Sequence, residues 1–232
     1  MVAEEERYRF PDPALGPGNA PLALGGDLDP ERILAAYRRG IFPWYAPGDP
    51  ILWWSPDPRL ILEPHDLKLS RSFRRVLRNK AWKVHFDRCF NRVIEACATI
   101  PRAGQEGSWI TPEIREAYGR LHRMGYAHSV EVYLEGELVG GLYGLSLGRA
   151  FFGESMFSRV PDASKVALKA LSDLSRKKGY HFIDCQVVTD HLVRMGAKAI
   201  RRENFLRRLA ESLRHPDERD LWIDISWEYS DE

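Results

Sequence analysis

The chain has 232 residues, of which 44% are hydrophobic and 29% charged. This composition excludes wholesale disorder and predicts either one large domain or a large domain with a small one. Lys and Arg total 34 against 33 Asp and Glu, a net charge of +1, so no global field attracts nucleic acid or an acidic membrane. Any such partner is expected to bind a local patch.

Cysteine usage and the chain ends bear on the compartment. The three cysteines form no C-x-x-C pair, which predicts neither a disulfide framework nor a zinc cluster and favours a reducing compartment. The N-terminus carries Glu4, Glu5 and Glu6 instead of a signal-peptide pattern, and no apolar stretch has the length that spans a bilayer. The expectation is a soluble, cytoplasmic protein with no membrane partner.

The first third of the chain combines turns, one helix and aromatic residues. Asp29 is expected to cap a helix that starts at Pro30 and stops at Gly40. Residues 41–58 then place several Trp and Tyr side chains, Trp44 among them, between five prolines. No regular period fits this segment, which predicts a folded aromatic loop.

A basic block follows between Ser70 and Arg92, where eight Lys and Arg face one acid, Asp87, which is expected to cap the next helix. Apolar residues still recur at helical spacing inside it, so a basic helix is predicted over residues 70–80. Its cations are Arg71, Arg74, Arg75, Arg78 and Lys80. Cations that span phosphates, beside indoles that stack on bases, suit a single-stranded RNA end. The alternatives are a solvated helix face and tryptophans in the core.

The second half of the chain predicts a mixed sheet. Residues 129–134, 138–147 and 150–157 read as three antiparallel strands, a helix follows from about Asp162 to Lys178, and residues 181–188 form a buried strand. Strands paired in this order across one crossover helix indicate an α+β domain.

Polar residues interrupt two of these strands. Glu154 follows Gly153, whose place in a strand indicates a bulge or the close approach of a ligand. Its carboxylate either lies in water at the end of the strand or, if it is buried among the neighbouring phenylalanines, is expected to need a partner cation. Asp184 and Gln186 share one face of an apolar strand, which indicates either a core hydrogen-bond network or a ligand site. Cys185 between them is expected to point to the opposite, packed face.

Two common catalytic patterns are missing from the sequence. The seven histidines show no H-E-x-x-H pairing, and no G-x-S-x-G turn presents a serine. Metal catalysis and serine hydrolysis are therefore disfavoured.

Several longer motifs resemble, in order and spacing, those of the leucyl/phenylalanyl-tRNA-protein transferases over nearly the whole chain. They are Gly25–Leu28, Tyr37–Trp44, Gly48–Arg59, Ser108–Thr111, Gly153–Arg159, Ala163–Lys165 and Ile183–Val187. The resemblance implies transfer of Leu or Phe from aminoacyl-tRNA to the α-amine of proteins that begin with Lys or Arg. It also implies the bacterial N-end rule and a proteolysis adaptor downstream.

The resemblance implies a fold as well. A small N-terminal domain, residues 1–60, would precede a domain like that of the Gcn5-related acetyltransferases (GNAT-like), residues 61–232. Where those acetyltransferases hold the coenzyme pyrophosphate on a glycine-rich turn, this chain has Arg159–Ser164 with a proline, so acetyl-CoA is not expected. Aminolysis of an activated ester requires no cofactor and no metal.

The resemblance also assigns residues. Asp184 would accept the amine proton through Gln186, although the terminal hydroxyl of the tRNA is an alternative, and Glu154 would bind the acceptor end or order the site. The donor side chain would lie in an apolar pocket, with two indoles near the terminal adenosine. These residues are Leu142, Phe151, Leu171 and Ile183 for the pocket and Trp44 and Trp109 for the adenosine.

Two other classes of function stay open from the sequence. One is an acyltransferase that uses a thioester, and the other is a non-catalytic module that binds the end of a tRNA.

Overall fold

The computed structural model describes residues 8–101, 108–222 and 225–229, so the acidic N-terminal segment at Glu4–Glu6 lies outside the described residues. The helices of this part are α1 (Pro30–Arg38), α2 (Arg71–Asn79), α3 (Phe90–Thr99), α4 (Pro112–Arg123), α5 (Ala163–Lys178), α6 (Asp190–Arg194) and α7 (Arg202–Ser212). The strands are β1 (Ala23–Leu24), β2 (Phe42–Pro43), β3 (Leu52–Trp54), β4 (Arg59–Leu62), β5 (Lys83–Phe86), β6 (Ala127–Leu134), β7 (Glu137–Leu147), β8 (Ala150–Ser158), β9 (Phe182–Gln186), β10 (Lys198–Ile200) and β11 (Ser226–Trp227).

The larger sheet has the strand order β10-β4-β9-β8-β7-β6-β5-β11. Its neighbours pair antiparallel except β8 and β9, which are parallel. Parallel neighbours need a long crossover, and α5 supplies it. The left-handed Gly179, at φ 72°, ends α5 where the sequence predicts. The predicted mixed α+β class is confirmed.

A second sheet, β1-β3-β2, is built from the aromatic segment. The prediction of an irregular loop over residues 41–58 is therefore wrong in part, because strands of two and three residues are too short for a period of two to show. Trp53 is buried and donates its indole N–H to the carbonyl of Gly25 at 2.9 Å. This bond ties β3 to the turn before α1.

Helices cover both faces of the larger sheet. One apolar cluster joins α1, α3, α4 and α7 to one face, and a second joins α2 and α5 to the other. The first cluster also holds Phe42 and Trp53 of the small sheet together with Ile61 and Phe152 of the large one. The small sheet thus packs on the same core, and the division at residue 60 stays a prediction.

The start of α3 differs from the sequence expectation. Asp87 does not cap this helix, because its carboxylate accepts the Ser129 N–H at 2.8 Å and lies 2.7 Å from His128 Nδ1. The buried Glu131 of β6 instead accepts the backbone N–H groups of Arg88 and Cys89, both at 3.3 Å. Burial raises the pKa of Glu131 to about 7.

Among the described residues, no helix is long and apolar enough to cross a membrane. Within the same residues, no three His, Cys, Asp or Glu side chains lie together as a metal site would need.

Candidate active site

A cavity of about 550 Å³ is lined by residues of β7, β8, β9, α5 and α6 together with Phe42 and Pro43 of β2. Its volume suits a small organic ligand. The wall is mostly apolar, formed by Phe42, Leu142, Met156, Leu168, Leu171, Ile183 and Leu192. Trp44, which is 41% exposed, and the half-buried Trp109 also line it and offer indole surface to a ligand.

A β-bulge presents Glu154 at the polar end of this cavity. Tyr143 pairs with Ser155 and Gly144 pairs with Gly153, so Glu154 is the extra residue of β8. A bulge re-aims the side chain of its extra residue. The bulge that Gly153 indicates in the sequence is present.

Three hydrogen bonds hold the Glu154 carboxylate. Tyr37 donates to Oε1 at 2.6 Å, the Gln186 amide donates to the same oxygen at 2.8 Å, and Tyr118 donates to Oε2 at 3.1 Å. The expectation of a partner cation is wrong, since none of the described Lys or Arg side chains pairs with Glu154. Neutral donors take that place because α1 and α4 bring two tyrosines to this point.

The surroundings of Glu154 change its acidity. Burial raises its pKa to about 7, while the hydrogen bonds from Tyr37 and Tyr118 oppose the rise and the negative charge of Asp184 adds to it. Burial and the nearby carboxylate raise the pKa of both tyrosines well above their usual value. The hydroxyls therefore stay protonated and act as donors.

Gln186 reaches Glu154 because β9 is also irregular. Leu60 pairs with Gln186 and Ile61 with Asp184, so Cys185 is left out of the ladder, and Gln186 has a left-handed φ of 62°. The strand ends here instead of continuing to residue 188. As predicted, Asp184 and Gln186 lie together, on the side of β9 that faces the site.

Asp184 is the buried partner of Arg59. The guanidinium donates to both carboxylate oxygens, through Nε at 2.9 Å and Nη2 at 2.6 Å, and Oδ1 also accepts the Gln186 backbone N–H at 2.9 Å. Both side chains are almost completely buried, at 1% and 0% exposure. Arg59 also lies against the Phe42 and Phe205 rings, 4.8 and 4.4 Å from their centroids.

The structure brings most of the predicted site residues together. Asp184, Gln186, Glu154, Trp44, Trp109, Leu142, Leu171 and Ile183 all line the one cavity. Phe151 is not among the residues that line it: it belongs to the same apolar cluster as Leu171 and Ile183, but its ring packs against Trp222 at 5.4 Å. Cys185, expected on the packed face, is half-buried and lines the cavity. Burial raises the pKa of its thiol.

The predicted basic helix is α2. Phe73 and Leu77 are buried, whereas all five predicted cations are exposed to solvent: Arg71, Arg74, Arg75, Arg78 and Lys80. Lys80 lies just after the helix, over the Trp82 ring at 5.1 Å.

No functional role is predicted from the sequence for Tyr37, Tyr118 or Arg59. Helical spacing places both tyrosines on the apolar faces of α1 and α4, but no local pattern in the sequence shows that they contact Glu154. Arg59 directly follows Pro56-Asp57-Pro58. A buried Asp184 needs a cation, and this requirement is the one sequence signal that could have predicted a basic partner such as Arg59.

Comparison with known proteins gives one consistent family. The family model described as leucyl/phenylalanyl-tRNA protein transferase matches residues 61–210, and the model described as its N-terminal domain matches residues 26–57. A leucyl/phenylalanyl-tRNA–protein transferase of Myxococcus xanthus is 51% identical over 97% of this chain and 96% of its own length. One from Azoarcus is 59% identical over 86% of each chain.

Solved structures match more distantly. A GCN5-related N-acetyltransferase from Kribbella flavida aligns with 72% of this chain and 59% of its own, with 10% identity and a TM-score of 0.36. A ribosomal-protein-alanine N-acetyltransferase from Brucella melitensis aligns with 66% of this chain and 96% of its own, with 13% identity and a TM-score of 0.35.

Proposed function

Because the chain belongs to the leucyl/phenylalanyl-tRNA protein transferase family, we propose that it transfers Leu or Phe from aminoacyl-tRNA to the α-amine of proteins that begin with Lys or Arg. The observation that carries the proposal is the apolar cavity whose polar end holds Glu154 at a pKa of about 7. Such a cavity suits an apolar side chain next to a group that accepts a proton.

The reaction is the aminolysis of an ester. The amine nitrogen attacks the ester carbonyl, a C–N amide bond forms, and the bond from the carbonyl carbon to the ribose oxygen breaks. The attacking amine must lose a proton, and an α-amine has a pKa of about 7.7 to 8.0. Glu154 is suited to accept this proton, because its pKa is about 7 and a general base works best when its pKa lies near the working pH. The proton can then pass to the departing ribose oxygen.

Gln186 is suited to hold the amine. Its Nε2 donates a hydrogen bond to Glu154, while no donor among the described residues pairs with its Oε1. An amine N–H can therefore donate to this oxygen while the same nitrogen faces Glu154. We assign Gln186 the orientation of the acceptor.

Asp184 is a positioning residue in this scheme. Both of its oxygens accept hydrogen bonds from Arg59, and one also accepts the Gln186 N–H. It therefore fixes the left-handed backbone of Gln186 rather than taking the proton itself. This differs from the role that the resemblance implies for Asp184.

The donor occupies the rest of the cavity. Leu142, Leu171 and Ile183 would surround its side chain, and Trp44 and Trp109 would contact the terminal adenosine. A hydrophobic pocket distinguishes one methylene by only about 1 to 3 kcal/mol, so it can accept both Leu and Phe. The exposed cations of α2 would bind the phosphates of the acceptor stem.

The reaction also suggests its setting. Aminoacyl-tRNA is made in the cytoplasm, so the proposed reaction belongs there. A new N-terminal Leu or Phe would mark the product for a proteolysis adaptor under the bacterial N-end rule, as the family resemblance implies.

The test is a transfer assay with labelled Leu-tRNA and Phe-tRNA and a peptide that begins with Arg. We expect label to move to this peptide in an alkali-stable bond. The same peptide with an acetylated N-terminus has no free α-amine and is the matched control. Peptides that begin with Lys and with Ala test the preference for a basic first residue.

Two results would contradict the proposal. If the protein binds Leu-tRNA but leaves its ester intact in the presence of the Arg peptide, it is a binding module. If label moves equally to the Ala peptide, the preference for Lys and Arg is wrong.

A further inference from the structure

Lys165 lies between the basic helix α2 and the cavity. Its ammonium is 5.8 Å from the centroid of the Phe73 ring of α2. One turn further along α5, Leu168 lines the cavity. The Lys165 side chain is 35% exposed and forms an ion pair with Asp162 at 2.7 Å. Lys165 therefore lies between α2 and the cavity, the two surfaces to which the proposed function assigns the stem and the 3′ end of one RNA.

Helix α6 adds further basic side chains on the cavity side. His191 lines the cavity and Arg194, one turn later, is exposed. Burial lowers the pKa of His191, and the charges of Lys165 and Arg194 lower it further, which is consistent with their closeness. No acid among the described residues pairs with Arg194. Asp162 is already paired with Lys165, and Asp190, at the start of α6, is exposed.

The substrate imposes a matching requirement. An RNA held by its stem on α2 must run its unpaired 3′ end from that helix to the cavity, because the amino acid is esterified to its last ribose. The strand carries a negative phosphodiester at each step. Ammonium and guanidinium groups bind such phosphates without reading sequence.

We propose that Lys165 and Arg194, with His191 beside them, form a phosphodiester-binding site for the unpaired 3′ strand of the aminoacyl-tRNA between α2 and the cavity. This inference rests on the proposed function. The site holds the backbone of the last nucleotides, so that the ester carbonyl stays in front of Glu154. It is separate from the arginines of α2, which contact the stem.

The test compares two donors that carry the same amino acid, Phe-tRNA and Phe-adenosine, which has the ester but no phosphodiester. The variants K165M and R194M are each expected to raise KM for Phe-tRNA several-fold with little change in kcat. Transfer from Phe-adenosine is expected to stay unchanged. K165R keeps the positive charge and is expected to have a KM for Phe-tRNA close to that of the wild type.

Binding of uncharged tRNA gives a second measurement that does not depend on catalysis. For single strands the slope of log K against log salt changes by about 0.7 for each phosphate contact. Each methionine variant is therefore expected to flatten the slope by about 0.7. The matched control is K177M, since Lys177 is exposed on the same helix about 18 Å away along its axis.

The outcomes separate this site from the proposed function. If K165M and R194M bind tRNA with the wild-type affinity and salt slope, the phosphodiester site is overturned, whether or not the wild type transfers amino acids. An equal loss with Phe-adenosine would also overturn it, because the side chains would then act within the cavity. If the wild type transfers from neither donor, the proposed function fails, while the tRNA slope still decides this site. R194M is the variant expected to leave the fold intact, because the Arg194 side chain forms no ion pair or hydrogen bond with the described residues.

Discussion

A carboxylate with a pKa of about 7 changes its charge in the pH range in which a protein α-amine loses its proton. The pKa of Glu154 is raised to about 7 because the effect of burial outweighs that of the three hydrogen bonds, which favour the ionised form. The sequence indicated a bulge at this residue, but not the two tyrosine hydroxyls around it. Those hydroxyls come from helices more than 30 residues away in the chain.

The first prediction concerns the pH dependence of transfer. In the wild type, kcat/KM is expected to fall as the pH drops through about 7, because Glu154 takes up a proton and can no longer accept one. E154Q is expected to lose about 10²- to 10⁴-fold in kcat, the usual contribution of a general base. Pre-steady-state transfer rates between pH 5.5 and 8.5 measure both effects.

The outcome that would contradict this role is an E154Q variant with a nearly wild-type rate. Y118F provides the comparison, since it removes one donor to Glu154 and leaves the carboxylate in place. Loss of a donor to the ionised form raises the pKa of Glu154. The acid limb of the Y118F profile is therefore expected to move to higher pH.

The second prediction concerns the pair formed by Arg59 and Asp184. R59M leaves a buried carboxylate without its cation, which costs about 3 to 5 kcal/mol of stability. The double variant R59M/D184N removes the stranded charge and is expected to recover part of this loss. Urea denaturation of the wild type and both variants measures it.

Catalysis separates positioning from stability in this pair. R59M/D184N is expected to bind aminoacyl-tRNA as the wild type does but to transfer more slowly, because Gln186 is no longer fixed. Equal losses of binding and transfer would assign the pair to the fold alone.

At the scale of elements, helix α2 shows how a sequence encodes an exposed basic face. Phe73 and Leu77 hold the helix on the core, and Ser70 caps it by accepting the Phe73 N–H at 3.1 Å. The remaining positions are free to carry arginines because they face solvent. Periodicity therefore predicted both the helix and its exposed face.

The third prediction is that Ala at Arg74, Arg75 and Arg78 together weakens tRNA binding and flattens its salt dependence. Each phosphate contact contributes about 0.9 to the slope of log K against log salt for a duplex, so the slope is expected to fall by up to about 2.7. Filter binding at several salt concentrations measures it. R176A/K177A, at exposed positions of α5, is the control.

An unchanged slope in the α2 variant would remove this helix from the RNA surface. A slope that falls equally in the control would instead indicate a diffuse response to net charge.

Other elements show where local patterns are insufficient. The strand around Asp184 was predicted over residues 181–188, whereas β9 ends at Gln186 with a left-handed φ of 62°. Its bulge depends on pairing with β4, which lies more than 120 residues earlier. A pattern of alternating side chains does not contain the register of a distant partner.

At the scale of the whole molecule, two buried carboxylates link stability to pH. The pKa values of Glu131 and Glu154 are both raised from 4.5 to about 7, mainly by burial. The unfolded chain releases these protons first as the pH rises, so each raised pKa reduces stability between about pH 4.5 and pH 7. The contribution is fully present below the unfolded value and is lost above the folded one.

The fourth prediction follows from that sign. The free energy of unfolding of E154Q minus that of the wild type is expected to increase as the pH rises from 5 to 8, because the wild type must ionise a buried carboxylate and the Gln side chain carries no charge. Each unit of pKa shift is worth about 1.4 kcal/mol. Urea denaturation at several pH values measures it, with E116Q, at an exposed position of α4, as the control.

A difference between E154Q and the wild type that does not vary with pH would contradict the raised pKa. It would mean that Glu154 is ionised at about the same pH in the folded and unfolded chains.

The sequence alone predicted the class of the fold, and its family resemblance pointed to most of the side chains that line the cavity. Spacing of apolar residues, caps and glycines is local information, so it was sufficient for α1, α5 and the meander β6–β8. Tertiary structure alone decided that Glu154 has tyrosine partners, that Asp184 is paired with Arg59, and that Phe151 packs against Trp222 instead of lining the cavity. These facts depend on contacts between distant segments and on the register of bulged strands, and no local period encodes either.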